Sequence, residues 1–382
     1  MSRFGRLLLR QLFGNPKGPT PHRLVSLLGL TLLLTALPAA AQTREARLQE
    51  ILDAFQAVNV AAPGVVVYAY SPQLDLDWTG TTGLSNRNGA PLTGDATFRI
   101  ASNTKTYVAA AVLRLMEEGK LSLDDSLADH LPPAWADLLR ADGYRIGDMT
   151  LRMVLSHTSG LWEHPADPRY GEAIEANPQR VWTPDEVVRL TVEWGDPVGP
   201  PGAQWSYSDT GYILLGRIIE DLTGQPLGVA VRRLVNYDKL GLKATWWEIS
   251  ETAPAATGDR AHQYYGDSDT HDWNPSLDLY GGGGIICDAK DLGLFTRKLM
   301  KGRVFAKPAT LGLMIGEGAP NYRLGLMNVE LGPYLGWGHT GFWNTFSFYV
   351  PSLDLTLSGC VLNHFAGRGQ ALAAQMVEAL SE

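Results

Sequence analysis

This sequence of 382 residues has few cysteines, no internal repeats and no long hydrophobic run. Only Cys287 and Cys360 occur, and no group of cysteines and histidines has the spacing of zinc ligands, so the sequence predicts no metal site. Two interpretations of the cysteines stay open: a disulfide, if the protein is exported, or two buried free thiols, which we favour. The remaining composition is that of an ordinary globular protein with enough chain for a large core.

The main apolar stretch near the start of the chain is too short to span a bilayer as a helix. It covers residues 24–37, which at 1.5 Å per residue is roughly 21 Å of a hydrocarbon core about 30 Å thick. Five basic residues and no acidic residue precede it, and Ala39-Ala40-Ala41 follows. This pattern predicts a secretory signal over residues 1–41, cut after Ala41; the alternative is an uncleaved membrane anchor. We therefore expect an exported protein, periplasmic or extracellular, with no stable membrane span after cleavage.

Basic residues are the minority charge. The chain has 32 basic and 40 acidic residues, and without residues 1–41 the balance becomes 27 to 40, a net charge of −13. Such a surface disfavours nucleic acid and anionic membranes as partners. The expected partner is a small molecule or a peptide.

The first elements after the signal follow from hydrophobic periodicity. Apolar residues at helical spacing predict a helix over residues 43–60 with Thr43 as its N-cap. The continuous β-prone run over residues 64–70 predicts a buried strand, and residues 74–82 are its candidate hairpin partner.

Helical patterns dominate the middle of the chain, and strand patterns return near its end. Helices are predicted over residues 105–118, 123–131, 151–155, 184–192 after the cap Thr183, 210–222 and 288–300. Strands are predicted over 342–350 and 353–362, joined by Pro351-Ser352, with a terminal helix over 369–380.

These elements predict an α+β fold: an antiparallel β-sheet flanked by terminal helices, with an inserted, mostly helical region. Sequential hairpins argue against an alternating parallel βαβ fold. We expect one domain over residues 42–382, with the sheet formed from about 43–100 and 303–382 and the helical region from about 101–302.

The first candidate for chemistry is Ser102-Asn103-Thr104-Lys105, at the start of a predicted helix. Residues three apart lie on one helix face, so the Lys105 amine would lie beside the Ser102 hydroxyl. A serine hydroxyl is a weak nucleophile that needs a neighbouring base, and a helix N-terminus offers N–H groups to an oxyanion. Taken alone, the pair is explained equally well as a surface serine and lysine.

The second candidate lies in the loop before the helix predicted over residues 210–222. Tyr207 can carry a proton if nearby cations lower the pKa of its phenol from about 10. Asp209 is placed to hydrogen-bond Lys105 or a substrate. In isolation, a buried tyrosine and a helix-capping aspartate explain this segment as well.

The third candidate is His339-Thr340-Gly341, immediately before the strand predicted over residues 342–350. Gly341 would let a substrate backbone approach closely. His339 and Thr340 would bind a substrate carboxylate, or His339 would relay a proton. A lone histidine in a loop is otherwise a solvated or packing residue.

Together and in this order, the three segments resemble the class C β-lactamase and serine DD-peptidase superfamily, whose elements are Ser-x-x-Lys, Tyr-x-Asn and Lys/His-Thr-Gly. The His-Thr-Gly form is similar to soluble D-alanyl-D-alanine carboxypeptidases, which are penicillin-binding proteins, and to D-stereospecific peptidases. The resemblance extends from about Thr43 to the C-terminus and includes residues 98–105, 155–161, 214–224 and 281–284.

The resemblance implies a role for each matching residue, and no metal or cofactor. Ser102 would be the nucleophile, Lys105 its activating amine, and Tyr207 the group that protonates the leaving group or serves as base. The backbone N–H groups of Ser102 and Phe342 would form the oxyanion hole. Substrate would be bound by Asp209, His339, Thr340 and Gly341, while residues 157–160 have a structural role.

Two residues depart from the commoner family pattern. Asp209 stands where Asn is commoner, and a carboxylate there favours the charged form of Lys105, so we favour Tyr207 as base. His339 replaces the lysine common in β-lactamases and would lose its charge near pH 6.5, which lowers the expectation of efficient β-lactam turnover.

The expected function is therefore that of a serine hydrolase working through an acyl-enzyme, on a D-Ala-D-Ala-type peptide or similar amide. The alternatives are a class C-like β-lactamase or a carboxylesterase. A different class of function is a β-lactam sensor or scaffold that acylates without turnover.

Overall fold

A computed structural model describes residues 42–255 and 257–381. The predicted export signal over residues 1–41 lies outside them. Among the helices of the described residues, none combines the length and the apolar character needed to cross a membrane.

An antiparallel sheet of eight strands forms the centre of the fold, in the order β2-β1-β13-β12-β11-β10-β9-β8. A smaller sheet, β3-β7-β4, and a two-stranded sheet, β5-β6, lie outside it. The strands are β1 Gly64–Ser71, β2 Leu76–Gly83, β3 Thr97–Arg99, β4 Trp246–Trp247, β5 Tyr264–Tyr265, β6 Ser268–Asp269, β7 Ile285–Asp288, β8 Gly318–Ala319, β9 Tyr322–Arg323, β10 Met327–Leu331, β11 Tyr334–Gly341, β12 Thr345–Val350 and β13 Leu355–Val361.

The two ends of the chain meet in the large sheet. β1 pairs on one side with its hairpin partner β2 and on the other with β13, where Val65 lies opposite Val361. The run of apolar residues in β1 is buried on both faces, as its sequence predicts. The predicted hairpin and the predicted α+β fold are both confirmed.

Helices cover both faces of this sheet and fill the region between its two halves. They are α1 Arg44–Val58, α2 Thr104–Glu117, α3 Pro133–Ala141, α4 Leu151–Leu155, α5 Pro168–Ala176, α6 Pro184–Trp194, α7 Asp209–Thr223, α8 Leu227–Val235, α9 Tyr237–Leu240, α10 Ala289–Met300, α11 Pro308–Gly316 and α12 Gly369–Ser381.

Most helix predictions agree with these bounds, and the caps explain why. The Thr43 and Thr183 side chains accept hydrogen bonds from backbone N–H groups at the starts of α1 and α6, as the sequence predicted. The helix predicted over residues 123–131 is wrong: only the 3₁₀ turn Leu127–Asp129 forms there. The backbone of this segment instead donates hydrogen bonds to the segment before α4, for example from the Leu127 N–H to the Met149 carbonyl oxygen at 2.7 Å.

The third motif lies differently from its prediction. His339-Thr340-Gly341 ends strand β11, and the following strand begins at Thr345 instead of residue 342. Strands β8 to β11 were not predicted: β8, β9 and β10 are only two to five residues long, and glycines interrupt the pattern of β11. Gly338 has a structural reason: a Cβ there would lie 1.8 Å from the Ser347 carbonyl oxygen of β12.

Two hydrophobic cores lie on opposite faces of the sheet, as the alternation along β1 requires. Val65 and Val67 join the core under α1 and α12, whereas Val66 joins the core shared with the helical region. Cys287 and Cys360 are buried free thiols, so the favoured interpretation of the cysteines is confirmed.

Replacing Leu52 of α1 by alanine is expected to lower the free energy of unfolding by about 2–5 kcal/mol, because this fully buried side chain fills the core between α1 and the sheet. Urea denaturation followed by circular dichroism measures the loss. The control is Glu50→Ala on the exposed face of the same helix, expected to change stability by less than about 0.5 kcal/mol. Equal losses in the two variants would contradict this packing.

Candidate active site

Ser102 lies on a tight turn between a strand and a helix. β3 leads into the 3₁₀ turn Ala101–Asn103, which continues directly into α2. Ala101 has φ +46°, a conformation that costs energy for any residue with a Cβ. The turn is held through the Ile100 carbonyl, which accepts hydrogen bonds from Thr345 Oγ1 at 2.9 Å and Asn103 Nδ2 at 3.1 Å. This packing fixes the Ser102 hydroxyl at the N-terminus of a buried helix.

Lys105 lies beside Ser102, as the spacing of three residues predicted. Its Nζ donates to Ser102 Oγ at 2.8 Å and to the carbonyl oxygen of Gly282 at 2.8 Å. The side chain is fully buried, and its third partner is the carboxylate of Asp209. All donors of the ammonium group are thus aimed at oxygen atoms.

Tyr207 approaches the same two groups from the loop before α7. Against the effect of burial, the Lys105 amine and the Ser102 hydroxyl both act to lower the pKa of its phenol. The Lys105 Nζ lies 5.0 Å from the centre of the Tyr207 ring. The structure therefore brings Ser102, Lys105, Tyr207 and Asp209 into one cluster.

The charges of Lys105 and Tyr207 follow from burial and from Asp209. Burial alone would lower the pKa of Lys105, but Asp209 and then Tyr207 raise it, and the net pKa lies well above the ordinary range. Burial raises the pKa of Tyr207 above its ordinary value, although the neighbouring Lys105 opposes that rise. At neutral pH the resting site holds a lysine ammonium and a neutral phenol.

Sequence reasoning missed Glu163, which lies next to Asp209. The Glu163 carboxyl accepts a hydrogen bond from the Asp209 backbone N–H. Burial and then the Asp209 charge raise the pKa of Glu163 well above its ordinary value. Burial also acts to raise the pKa of Asp209, but Lys105 outweighs it and the net pKa is lowered. The opposite shifts favour a proton on Glu163 and the negative charge on Asp209. No spacing in the sequence signals this contact, which joins the loop of Glu163 to the start of α7.

The end of β11 closes the site on the other side of Ser102. A Cβ on Gly341 would lie 2.4 Å from the Ile100 carbonyl oxygen and 3.2 Å from Ala101 Cβ, so only glycine allows this approach. Phe342 follows, with its ring half-exposed. Thr340 is partly exposed on the strand, and its hydroxyl lies 3.8 Å from Met327 Sδ.

His339 is buried, and both of its ring nitrogens are engaged. Nδ1 lies 2.6 Å from the Thr340 carbonyl oxygen and so must donate, which leaves Nε2 to accept from the Tyr322 hydroxyl at 3.0 Å. Burial, and then Lys105, lower the pKa of His339 to about 3. Its ring centre is 6.4 Å from that of Tyr207. His339 is therefore uncharged at neutral pH.

A small cavity lies beside Asp209 and the Gly282 carbonyl that holds Lys105. Asp278 lines it, and burial followed by the charge of Asp209 raises the pKa of Asp278 to about 7. Within the described residues, no group of three or more histidine, cysteine or acidic side chains is arranged to hold a metal ion.

The sequence matches the beta-lactamase family over residues 48–378. The chain belongs to this family. The match covers most of the described chain, including the whole Ser102, Tyr207 and His339 constellation, and it confirms the resemblance drawn from the three motifs.

Solved structures of this fold superpose over nearly the whole described chain. The D-stereospecific amidohydrolase from a Streptomyces species is similar with a TM-score of 0.73 and 30% identity, over 86% of this chain and 97% of that one. The D-amino acid amidase from Ochrobactrum anthropi SV3 also has a TM-score of 0.73, at 24% identity over 88% of this chain and 98% of that one, which shows the fold alone.

Curated relatives have several activities. A putative D-alanyl-D-alanine carboxypeptidase of Escherichia coli K12 is 37% identical over 39% of this chain and 33% of its own length. Esterase EstB of Burkholderia gladioli is 34% identical over 53% of this chain and 51% of its own. The matches thus span a third to about half of these relatives. They support a serine hydrolase of this family and leave the substrate open.

Replacing Asp209 by asparagine is expected to move the alkaline limb of the kcat/KM profile to lower pH. The carboxylate raises the pKa of Lys105, so removing its charge lowers that pKa and lets the Lys105 ammonium lose its proton at lower pH. Initial rates from pH 5 to 11 measure the shift. Asp221→Asn, on the exposed part of the same helix, should leave the profile in place. An unmoved limb in Asp209→Asn would refute this role of Asp209.

For a substrate with a carboxylate, KM should show no step near pH 6.5 that depends on His339, because that side chain is already neutral at pH 5. KM measured from pH 5 to 9 in the native protein and in His339→Gln tests this. A rise above pH 6.5 that disappears in the glutamine variant would show instead that His339 binds the carboxylate as a cation.

Proposed function

We propose that this protein is an exported serine hydrolase that forms an acyl-enzyme on Ser102, and that its natural substrates are amides or peptides of D-amino acids. The observation that carries the proposal is the 2.8 Å hydrogen bond from the fully buried Lys105 Nζ to Ser102 Oγ, with the Tyr207 ring centre 5.0 Å from the same Nζ. Export rests on the signal predicted over residues 1–41.

We assign the role of base to Tyr207, because deprotonation of Lys105 and deprotonation of Tyr207 leave different charges in the buried site. Deprotonating Lys105 leaves the Asp209 carboxylate buried without its cation, which is costly. Deprotonating Tyr207 leaves a phenolate beside the Lys105 ammonium, a compensated pair. Lys105 then serves as a fixed positive charge that stabilises the phenolate and orients the Ser102 hydroxyl.

The reaction follows from these positions. The reactive form is the one in which the Tyr207 phenol has lost its proton to solvent and lies as a phenolate beside the Lys105 ammonium. Ser102 Oγ attacks the carbonyl carbon and its proton passes to this phenolate, while the C=O electron pair moves onto the oxygen. The backbone N–H groups of Ser102 and Phe342 bind this oxyanion. As the tetrahedral intermediate collapses, the leaving amine takes the proton from Tyr207, and a serine ester remains. Water then attacks that ester with Tyr207 again accepting the proton, and Tyr207 returns this proton to Ser102 Oγ as the acid leaves, which restores both groups.

The charge of the site favours a D-stereospecific peptidase or amidase over a carboxypeptidase. A carboxypeptidase must hold the terminal carboxylate of its substrate, and the neutral His339 offers no cation for it. The Lys105 charge is already balanced by Asp209. The similarity at 30% identity to the D-stereospecific amidohydrolase supports the same choice.

A substrate panel with Ser102→Ala as the control tests the proposal. It contains D-alanine and L-alanine amides, a D-Ala-D-Ala peptide, a chromogenic cephalosporin and a short-chain p-nitrophenyl ester. We expect the highest kcat/KM on the D-amide, no turnover by Ser102→Ala, and a loss of about 10²–10⁴ in kcat for Tyr207→Phe.

The alternatives give different results in the same panel. A carboxylesterase would prefer the ester by a wide margin, and a β-lactamase would turn over the cephalosporin rapidly. A burst of one equivalent of cephalosporin product without turnover, and no hydrolysis of any other compound, would indicate a sensor. Full activity of Ser102→Ala would refute the acyl-enzyme.

A further inference from the structure

We propose that His157 is a positioning residue for Tyr207. It accepts hydrogen bonds from the residues before and after Tyr207, and its ring packs against the Tyr207 ring. The inference rests on the proposed function, because that function gives Tyr207 its role as base. The segment over residues 157–160 was expected to be structural only, and the structure assigns His157 a more specific task.

The backbone and the side chain of His157 each accept a hydrogen bond from a sequence neighbour of Tyr207, and we call this pair of hydrogen bonds the grip. The His157 carbonyl oxygen accepts a hydrogen bond from the Ser206 N–H at 2.8 Å. The His157 Nδ1 accepts one from the Ser208 N–H at 3.1 Å. One residue therefore fixes the peptide units before and after the catalytic phenol, and Ser208 is also the N-cap of α7.

The imidazole ring also forms the surface on which Tyr207 rests. The two ring centres are 4.2 Å apart and the planes are tilted by 36°. Tyr322 and Tyr212 enclose the imidazole further, with ring centres at 4.5 Å and 5.2 Å. His157 is only 1% exposed, so the phenol of Tyr207 has a rigid support on this side.

The backbone of His157 adopts the conformation that makes this double grip possible. Its φ is +58°, in the left-handed region that residues with a Cβ seldom occupy. The conformation is held by the end of α4, where the His157 N–H donates to Val154 O at 3.2 Å and the Thr158 N–H donates to Met153 O at 2.8 Å. Strain of this kind persists where the surroundings over-determine it, and is common at functional sites.

The grip requires a neutral ring with its proton on Nε2, since Nδ1 must offer a lone pair to Ser208. The groups that face the ring favour this form. Burial, then the Lys105 ammonium and His339, lower the pKa of His157 well below its ordinary value. The other titratable neighbours are the phenols of Tyr207 on its loop, Tyr212 on α7 and Tyr322 on β9. The described residues offer Nε2 no hydrogen-bond acceptor, which leaves it among these rings.

This arrangement matters because proton transfer depends on short distances. A base must stay within hydrogen-bond reach of the proton it takes, and a displacement of about 1 Å can cost as much as 10²-fold in rate. The loop that carries Tyr207 has no helix or strand of its own before α7. Residues 158, 160 and 162 also hold parts of this loop, but His157 holds the two peptide units next to Tyr207.

Two variants separate the grip from simple packing. His157→Asn keeps an acceptor oxygen near the Nδ1 position and tolerates positive φ well, so we expect kcat within about fivefold of the native value. His157→Phe keeps a ring but loses the acceptor, and we expect kcat to fall about 10–100-fold with KM within about threefold. Leu52→Ala is the matched control: it is destabilised through the other core and should keep the native kcat per folded molecule.

A double-mutant cycle shows whether the effect passes through Tyr207. If it does, His157→Phe lowers the activity of Tyr207→Phe by less than about threefold, because the group that it positions is already gone. An additive loss would overturn the proposal. So would an equal loss of kcat in the asparagine and phenylalanine variants.

Nitrogen-15 NMR of histidine-labelled protein tests the grip without any substrate. The resonances absent from His157→Asn identify His157, and we expect a pyridine-like Nδ1 and a protonated Nε2 that do not titrate from pH 5 to 9. A proton on Nδ1, or titration near pH 6.5, would overturn the proposal even if the variants were inactive. Failure of the proposed function itself would instead appear as full activity in Tyr207→Phe or Ser102→Ala, with these NMR signals unchanged.

Discussion

The buried ammonium group of Lys105 is the interaction around which this structure is organised. A lysine charge removed from water is tolerated only if oxygen atoms replace its hydration. Here the replacements are the Ser102 hydroxyl, the Gly282 carbonyl and the Asp209 carboxylate, which come from three distant parts of the chain. The cost of leaving this charge unpaired ties the turn of Ser102, the segment of Gly282 and α7 to one another. The same need that stabilises the fold thus assembles the candidate site.

The large sheet provides the rigid side of that site. Its central strands join both chain ends, and the end of β11 packs against the turn of Ser102 with only a glycine between them. Thr345 at the start of β12 ties the same turn to the sheet through the Ile100 carbonyl. A nucleophile on a strained turn needs such support from several directions, because each contact opposes relaxation of the backbone. The helical region supplies the opposite wall, which carries Tyr207.

The charges of the buried side chains limit which substrates this site suits. Asp209 favours the charged form of Lys105, and the raised pKa of Glu163 favours its neutral form beside the Asp209 carboxylate. Both ring nitrogens of His339 form hydrogen bonds with uncharged groups, the Tyr322 hydroxyl and the Thr340 carbonyl. The site therefore has one balanced ion pair and no spare cation among these residues. Substrates whose recognition needs no cation suit it better than those with a terminal carboxylate.

Local sequence determined the elements with a strong period or a strong cap, and the relation of Ser102 to Lys105. Helical spacing places residues three apart together whatever surrounds them, so this contact was predictable before the fold was known. Tertiary structure alone decided the rest: the strand that ends in Gly341, the raised pKa of Glu163 and the neutrality of His339. Glycine-rich strands have no period of their own, and the charge of a buried group depends on neighbours far away in sequence. The sequence identified the candidate reacting groups, and only their packing in the fold determined the charges that they carry.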